Sequence, residues 1–280
     1  MLVVNHSAAS VTPTSRRDLN EILDEPSAED FVVGLERYAL AHRATQHALL
    51  LALAETRSPR LQEAVRVFVS EYYHYSCRFS QYLGGLLSAL DEPEHRSAII
   101  RNLAEENGEV DEDHKRLLEQ AGIAHADVAA PHPALFRRFL AAADVDVAQL
   151  AAEAPRLATS AWLETMLSIM CSGDAAQAVA ALGPGTEGIV RPMYGLLLRA
   201  VRGAWPQMSM RERAFFELHA LVDDDHALAL KRIAASVAER PGARRSLALG
   251  LSRALEARAC FFDDMLGLLR DRGLLEEATR

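Results

Sequence analysis

The chain has 280 residues, of which half are hydrophobic and a quarter are charged, enough to form the core of one or two domains. The 39 acidic residues outnumber the 30 basic residues and give a formal charge of −9, which argues against nucleic acid or an anionic membrane as a partner. No segment approaches the roughly 18 uncharged apolar residues of a transmembrane helix. The opening MLVVNHSAASV lacks the basic region of a signal peptide.

The cysteines indicate the redox compartment. Cys77, Cys171 and Cys260 are odd in number, widely spaced and without a CxxC pair. This pattern argues against a zinc clip or a disulfide framework, so we expect a reduced, cytoplasmic protein.

Helical periodicity dominates the chain after its first segment. Residues 1–27 are rich in Ser, Thr and Asp and show no sustained period, which predicts a flexible N-terminal arm. From Phe31 onward the apolar residues recur with helical spacing, and strand-type alternation is absent. The sequence therefore predicts an all-α fold in which residues 28–280 form a single compact bundle of about seven or eight helices.

Proline and glycine mark the predicted helix boundaries. The predicted helices run from Pro59 to about Leu90, from Pro93 to about Gly122, through Trp162 to Ser172, from the turn at 183–186 to Trp205, over 209–238 and over 243–272. The stretch from Ala129 to Pro133 is predicted to be a connector.

The helix after Pro93 carries ionisable residues on its apolar face. Glu106 lies three residues after Leu103 and four before Val110. His114 lies four residues after Val110, so it shares that face. In a regular helix the two Cα atoms lie roughly 12 Å apart along the axis, which favours a distorted turn or ligands to two metals. The alternative is an acid-rich patch on a surface helix.

A second inward carboxylate, Glu187, ends the segment GPGTE. It begins an apolar stripe that includes Val190 and Tyr194. Glu187 is therefore a candidate metal ligand, and Tyr194 is the best aromatic candidate for a position near the metal. The alternative is an acid that interacts with the dipole at the start of a helix.

The most specific pattern is HxxxDxxH in FFELHALVDDDH. Its spacings of four and three place His219, Asp223 and His226 on one helical stripe. Two imidazoles and a carboxylate on one face suit a mid-first-row metal such as iron or manganese. The alternative is a polar helix face that contains a run of three aspartates.

Together the three segments supply three carboxylates and three imidazoles from three predicted helices. Their number exceeds what a single metal needs and is typical of carboxylate-bridged di-iron sites in helix bundles. The paired ExxH motifs of ferritin-like proteins are absent, so a ferritin-like di-iron site is not favoured.

The sequence resembles the heme-oxygenase-like di-iron oxidases and oxygenases, the iron-containing redox enzyme family. The resemblance covers nearly the whole chain after residue 30 and rests on NLAEEN with the following histidine, on GTEGIVRPMY and on FFELHALVDDDH. It implies a heme-oxygenase-like fold with catalytic iron ligands at Glu106, His114, Glu187, His219, Asp223 and His226. Glu105 remains an alternative to Glu106, and Glu109 is the nearest candidate for an additional ligand.

The resemblance also implies the chemistry. It implies two Fe(II) ions, O2 as co-substrate and oxidation of a small molecule, with an amine or amino acid favoured, by N-oxygenation or oxidative C–C or C–N chemistry in a natural-product pathway. The expected partners are a small-molecule substrate, an external reductase or other reductant and a second copy in a homodimer, without nucleic acid or membrane.

Four alternatives stay open at this point. A heme oxygenase would need a proximal histidine, for which His42 and His47 are placed, but three inward carboxylates disfavour a porphyrin. A thiaminase-like enzyme would need a cysteine beside the acid and histidine residues. A cofactor-independent oxidase would not need six metal-type ligands. A metal-free helical interaction protein predicts little effect from changing His219 or His226 to alanine.

Overall fold

The structure is a computed structural model that describes residues 18–109, 112–221 and 224–276. Within these ranges the backbone forms helices, turns and bends and no strand, which confirms the predicted all-α class. None of the helices in the described part combines the length and the apolar character needed to cross a bilayer.

The helices follow one another with short connections. In chain order they are α1 (Leu19–Leu23), α2 (Ala28–Ala41), α3 (Ala48–Glu55), α4 (Leu61–Ser76), α5 (Phe79–Ala89), α6 (Pro93–Glu106), α7 (Glu112–Gln120), α8 (His125–Val128), α9 (His132–Ala142), α10 (Val147–Ala152), α11 (Leu157–Met170), α12 (Ala175–Leu182), α13 (Gly188–Ala204), α14 (Ala214–Leu221), α15 (Asp224–Ala238) and α16 (Ala243–Asp271). Between α12 and α13 lies a π-helical segment, Gly183–Glu187, called the π turn below.

The described residues form more and shorter helices than the seven or eight predicted, because three predicted helices are interrupted and because short helices such as α1, α8 and α10 lie between the longer ones. The helix expected from Pro59 to Leu90 divides into α4 and α5 at Cys77, whose φ of −67° and ψ of −9° stay close to helical values. Such a break hardly disturbs the hydrophobic period, so periodicity misses it. The predicted helix 93–122 becomes α6 and α7, and 209–238 becomes α14 and α15.

Local capping explains several helix starts. The side chain of Ser27 accepts a hydrogen bond from the backbone N–H of Asp30 and begins α2, and Pro93 occupies the first turn of α6. Residues 18–27, assigned by sequence to the flexible arm, include α1, whose Ile22 is buried in the core. Residues 1–17 lie outside the described part, so the arm itself stays a prediction.

The long helix α16 organises the interior. It packs against α12 so closely that a Cβ on Gly250 would collide with the backbone of Gln177, so only glycine fits at this position. The inward face of α16 contributes Leu251, Leu255 and Phe262 to the core. Because the π turn also contacts α16, the region around Glu187 is supported by the densest part of the bundle.

The direct continuation of α12 into α13 corrects a sequence prediction. GPGT was expected to form a turn that separates two helices, but the chain continues through the π turn, with Gly183, Pro184 and Gly185 all buried. A single wide turn of this kind displaces the following side chains from a regular helical position, and π-helical insertions are frequent at functional sites. Glu187 is the last residue of the π turn.

Candidate metal centre

Five elements bring buried acids and imidazoles to one place in the bundle. The end of α6, the start of α9, the π turn, α14 and α15 contribute the side chains of Glu105, Glu106, His132, Glu187, His219 and His226. Four of these residues were predicted as ligands, namely Glu106, Glu187, His219 and His226. The three segments singled out in the sequence therefore meet in the fold.

One half of the centre consists of Glu106, His132 and His219. One ligand atom from each of these side chains lies within 4.8 Å of the other two, as expected for a shared metal ion. Glu106 Oε1 lies 3.0 Å from His132 Nδ1, although the contact lacks hydrogen-bond geometry. Burial disfavours the charged form of Glu106, but the adjacent His132 lowers its pKa overall.

His219 is oriented by its own helix. Its Nδ1–H donates to the carbonyl of Phe215 at 2.7 Å, which leaves Nε2 for a ligand. Tyr194 stacks on the His219 ring with centroids 4.6 Å apart, and the ring of His132 meets it edge-on at 4.9 Å. Burial lowers the pKa of His219 to about 4, so its imidazole is neutral at neutral pH, the form that binds a metal.

His132 was not predicted from sequence, and the turn after α6 explains its position. Gly108 has a φ of +92°, and a Cβ there would lie 2.7 Å from the carbonyl carbon of Ala130. Glycine therefore allows the end of α6 to touch the segment that leads into α9. This contact places His132, the first residue of α9, beside Glu106.

The second half of the centre consists of Glu187, His226 and Glu105. His226 Nε2 lies 2.6 Å from Glu105 Oε2, and its Nδ1 lies 3.9 Å from Glu187 Oε1. Burial disfavours the charged form of His226, but its hydrogen bond to Glu105 and the carboxylate of Glu187 raise its pKa to about 9. Burial raises the pKa of Glu187, against the effect of His226.

Several residues that the sequence predicted as metal ligands are not among the side chains of the centre described above. Asp223 lies outside the described residues, and the same holds for the side chain of His114, whose backbone belongs to α7. Glu109, the candidate for an additional ligand, is exposed to solvent. Glu105, considered as a substitute for Glu106, instead pairs with His226 while Glu106 faces His132 and His219.

The signal for His132 in the sequence was weak. It stands between Pro131 and Pro133, in a stretch predicted to be a connector. A residue at the first position of a helix has no preceding turn, so hydrophobic periodicity cannot assign it to a face.

The donor set suits iron. Imidazole nitrogens and carboxylate oxygens are the ligands of non-heme iron sites, and thiolates, which would favour zinc or an iron–sulfur cluster, do not line the centre. Glu187 Oε1 and Asn102 Oδ1 are buried without a hydrogen-bond partner among the described residues. No lysine or arginine of the described part pairs with Glu106 or Glu187. Since buried acceptors of this kind are costly, a cation fits here.

A small cavity adjoins the centre. It measures about 30 Å³, and its lining combines Glu106, Glu187 and His219 with aromatic and polar side chains. The lining residues used below are Tyr72, Tyr75, Glu106, Thr186, Glu187, Tyr194, His219 and Arg258. Tyr194, the aromatic candidate from sequence, therefore lines the cavity together with His219, on which it stacks.

Solved structures share this architecture. A TenA homolog from Pseudomonas syringae superposes with a TM-score of 0.66 at 14% identity, covering 90% of this chain and 97% of that one. A domain of unknown function with a heme oxygenase-like fold from Shewanella denitrificans gives 0.60 at 15% identity, over 92% and 97%. A CADD-like protein of unknown function from Nostoc punctiforme gives 0.56 at 15% identity, over 89% and 94%. At these identities the likeness establishes the heme oxygenase-like fold.

Sequence comparison supplies the family. No curated protein matches the chain. A family model described as iron-containing redox enzyme matches residues 66–259, which is most of the chain and includes both halves of the centre. The chain therefore belongs to the iron-containing redox enzyme family.

Proposed function

We propose that this protein is an O2-dependent, non-heme di-iron oxidoreductase that oxidises a small molecule, an amine or an amino acid. The observation that carries the proposal is the meeting of two imidazole–carboxylate sets, Glu106–His132–His219 and Glu187–His226, in one buried centre. Membership of the iron-containing redox enzyme family supports iron as the metal.

The two sets assign ligands to two ions. Glu106, His132 and His219 would hold one ion, and Glu187 and His226 would hold the other, once His226 exchanges its contact with Glu105 for the metal. Asp223, which follows His219 by four residues in the sequence, is the further carboxylate that we assign to this pair. Ferrous iron held by these residues would supply the electrons that activate O2.

The chain's own residues prepare this chemistry in three ways. Phe215 fixes the tautomer of His219 through its carbonyl, and Tyr194 restricts the ring by stacking on it. The hydroxyl groups of Tyr194 and Tyr72 lie 3.2 Å apart in a hydrogen bond that holds the aromatic wall of the cavity. The buried aromatic residues exclude bulk water from the centre, which limits side reactions of an activated oxidant.

A thiaminase-like reaction is less well supported. Cys171 and Cys260 are exposed, and none of the three cysteines lines the cavity. Burial raises the pKa of Cys77, which opposes formation of a nucleophilic thiolate. A heme oxygenase is disfavoured as well, since Nε2 of His42 contacts Glu256 and Nε2 of His47 contacts Asp263.

The remaining partners belong to the same proposal. Activation of O2 would consume electrons, so we propose an external reductase or a small reductant as a further partner. We assign the protein to the cytoplasm, where its three free cysteines stay reduced, and propose a homodimer on the general frequency of such assemblies.

Anaerobic titration with Fe(II) tests the proposal. Metal-free protein is titrated with ferrous iron, mixed with O2 and followed by stopped-flow absorbance. We expect uptake of about two irons per chain and a transient visible band, whose formation or decay accelerates with the true substrate among a panel of amines and amino acids. The double variant His219→Ala/His226→Ala should lose both signals, and His125→Ala, a histidine of α8 outside the centre, should keep them. Iron uptake that is absent, or unchanged in the double variant, contradicts the proposal.

A further inference from the structure

A buried arginine lines the cavity beside the centre. Arg258 lies on α16 and is 1% exposed, among the most buried large side chains of the described residues. Removing a guanidinium from water costs several kcal/mol unless an anion or a full set of acceptors replaces the lost hydration. The contacts of Arg258 therefore show whether its charge is already compensated.

Every described partner of Arg258 is neutral. Its terminal nitrogens donate to the carbonyl of Gly185 at 2.6 Å and to the hydroxyls of Tyr75 and Thr186, both at 3.1 Å. Its guanidinium carbon lies 5.6 Å from the ring centroid of Tyr75 and 5.4 Å from that of Trp162. Its Nε is buried without a hydrogen-bond partner, and no carboxylate of the described part pairs with it. The site therefore holds a cation without its anion.

The position of Arg258 connects it to the metal centre. Arg258 lines the same cavity as Glu106, Glu187 and His219. It contacts the two π-turn residues that immediately precede Glu187. The cavity of about 30 Å³ accommodates roughly two water molecules, so it is large enough for small polar groups beside Arg258.

We propose that Arg258 binds the carboxylate of the substrate and that the substrate is an amino acid or another small carboxylic acid, in place of a simple amine. This inference rests on the proposed function, whose substrate class it narrows. The Nε–H of Arg258, which has no described acceptor, and the Tyr75 and Thr186 hydroxyls beside the guanidinium offer hydrogen bonds to a carboxylate. A substrate without an anionic group leaves the buried guanidinium unpaired, so the site discriminates against simple amines in favour of carboxylic acids.

A purely structural role makes a different prediction. In that case Arg258 only ties α16 to the π turn and to Tyr75. Its replacement would lower stability, but its side chain would not respond to a small anion. Binding of formate, the smallest carboxylate, and of formamide, its neutral isostere, separates the two roles without requiring the natural substrate.

The first experiment measures the NMR signal of the Arg258 side chain in the wild-type protein. The full-length protein, metal-free and then loaded with diamagnetic Zn²⁺, is labelled with ¹⁵N-arginine and titrated with formate or formamide. The Nε–H resonance of Arg258 is assigned through its contacts with the rings of Tyr75 and Trp162. We expect formate to shift this resonance in a saturable manner and formamide to leave it in place. An Arg258 resonance that formate does not shift overturns the proposal.

The second experiment uses variants. Arg258→Met should raise the Kd for formate by roughly tenfold or more, as expected for a charge-assisted hydrogen bond, and Arg258→Lys should raise it less. Arg253→Met is the matched control, because Arg253 lies on the same helix and its hydrogen bonds within the described residues go to Gln177 and Ser168. Unchanged formate affinity in a folded Arg258→Met variant contradicts the proposal. If this variant does not fold, the response of the Arg258 resonance in the wild-type protein alone tests the proposal.

The two proposals fail separately. Iron stoichiometry is measured without formate, and formate binding is measured without iron. A protein that takes up iron but shows no formate response at Arg258 retains the oxidoreductase function and loses the carboxylate specificity.

Discussion

Two clusters in this protein combine histidines with acids, and their contacts differ. The surface cluster joins α2 and α3 to α16 and consists of His42, Arg43, His47, Glu256 and Asp263. The buried cluster is the candidate metal centre, and its members are Glu106, His132, Glu187, His219 and His226.

In the surface cluster the ring nitrogens are occupied. Nδ1 of His42 accepts the backbone N–H of Ala44, and Nδ1 of His47 accepts that of Leu49. The Nε2 atoms contact Glu256 and Asp263, each at 3.0 Å, and Arg43 forms an ion pair with both acids. With every ring nitrogen used, this cluster stabilises the junction of the helices.

In the buried cluster, hydrogen-bonding capacity remains unused. Of the two nitrogens of His219, only Nδ1 has a described hydrogen bond, and Oε1 of Glu187 has none. No arginine of the described part pairs with Glu106 or Glu187. Residue types therefore do not separate a structural cluster from a functional one, whereas the burial of the carboxylates and the unsatisfied ligand atoms do.

The strongest test removes one carboxylate from each cluster. Glu106→Gln keeps the shape of the side chain and removes its charge, and we expect iron uptake to fall by about half or more with loss of O2-dependent turnover. Glu256→Gln, the matched change in the surface cluster, should leave iron uptake unchanged. Metal analysis of the two purified variants checks the comparison, and equal iron contents would remove the distinction between the clusters.

The next test concerns the histidine that only the structure identified. His132→Ala should lower iron uptake as strongly as His219→Ala, because both rings share one metal position with Glu106. His114→Ala is measured in parallel, since the sequence predicted His114 as the ligand on this segment. If His114→Ala loses iron while His132→Ala keeps it, the ligand assignment from the structure is wrong.

A glycine pair tests the contact that positions His132. Gly108 and Gly122 both have positive φ, +92° and +74°, but only Gly108 touches a neighbouring backbone. Replacing either by alanine costs about 1–2 kcal/mol of backbone strain. Gly108→Ala should lower the free energy of unfolding by about 1–2 kcal/mol more than Gly122→Ala, because of the clash with Ala130, and should weaken iron binding.

Denaturant unfolding and iron titration of both glycine variants give the two quantities. Equal stability losses with equal iron affinities would show that the close approach at Gly108 does not support the centre.

The smallest effect is a pH dependence in the surface cluster. Burial lowers the pKa of His47 below its usual 6.5, so the unfolded chain takes up a proton before the folded chain does. Stability from this group is therefore present above the unfolded pKa and is lost as pH falls below about 6.5, by at most about 1.4 kcal/mol per pH unit. His47→Gln should reduce this slope between pH 7 and 5. A slope equal to that of wild type would show that His47 does not titrate on unfolding.

Much of the candidate metal centre could be predicted from the helical spacing of apolar residues in the sequence. Each predicted ligand that lies in the centre belongs to an apolar helix face, namely Glu106, Glu187, His219 and His226. An apolar helix face must point to the interior wherever the helix packs against others. These side chains come together because one bundle has a single interior in which several buried polar groups can pair. The choice between Glu105 and Glu106 also followed periodicity in part, since Glu106 is the fully buried member.

The sequence by itself determined the all-α class, the inward helix faces and the acids and imidazoles on them, because the helical period depends only on local spacing. Only the tertiary structure decided that His132 joins Glu106, that Glu105 pairs with His226 and that Arg258 faces the cavity without an anion. These are contacts between segments far apart in the chain. They depend on the turn at Gly108, the π turn and the packing of α16, none of which leaves a periodic signal.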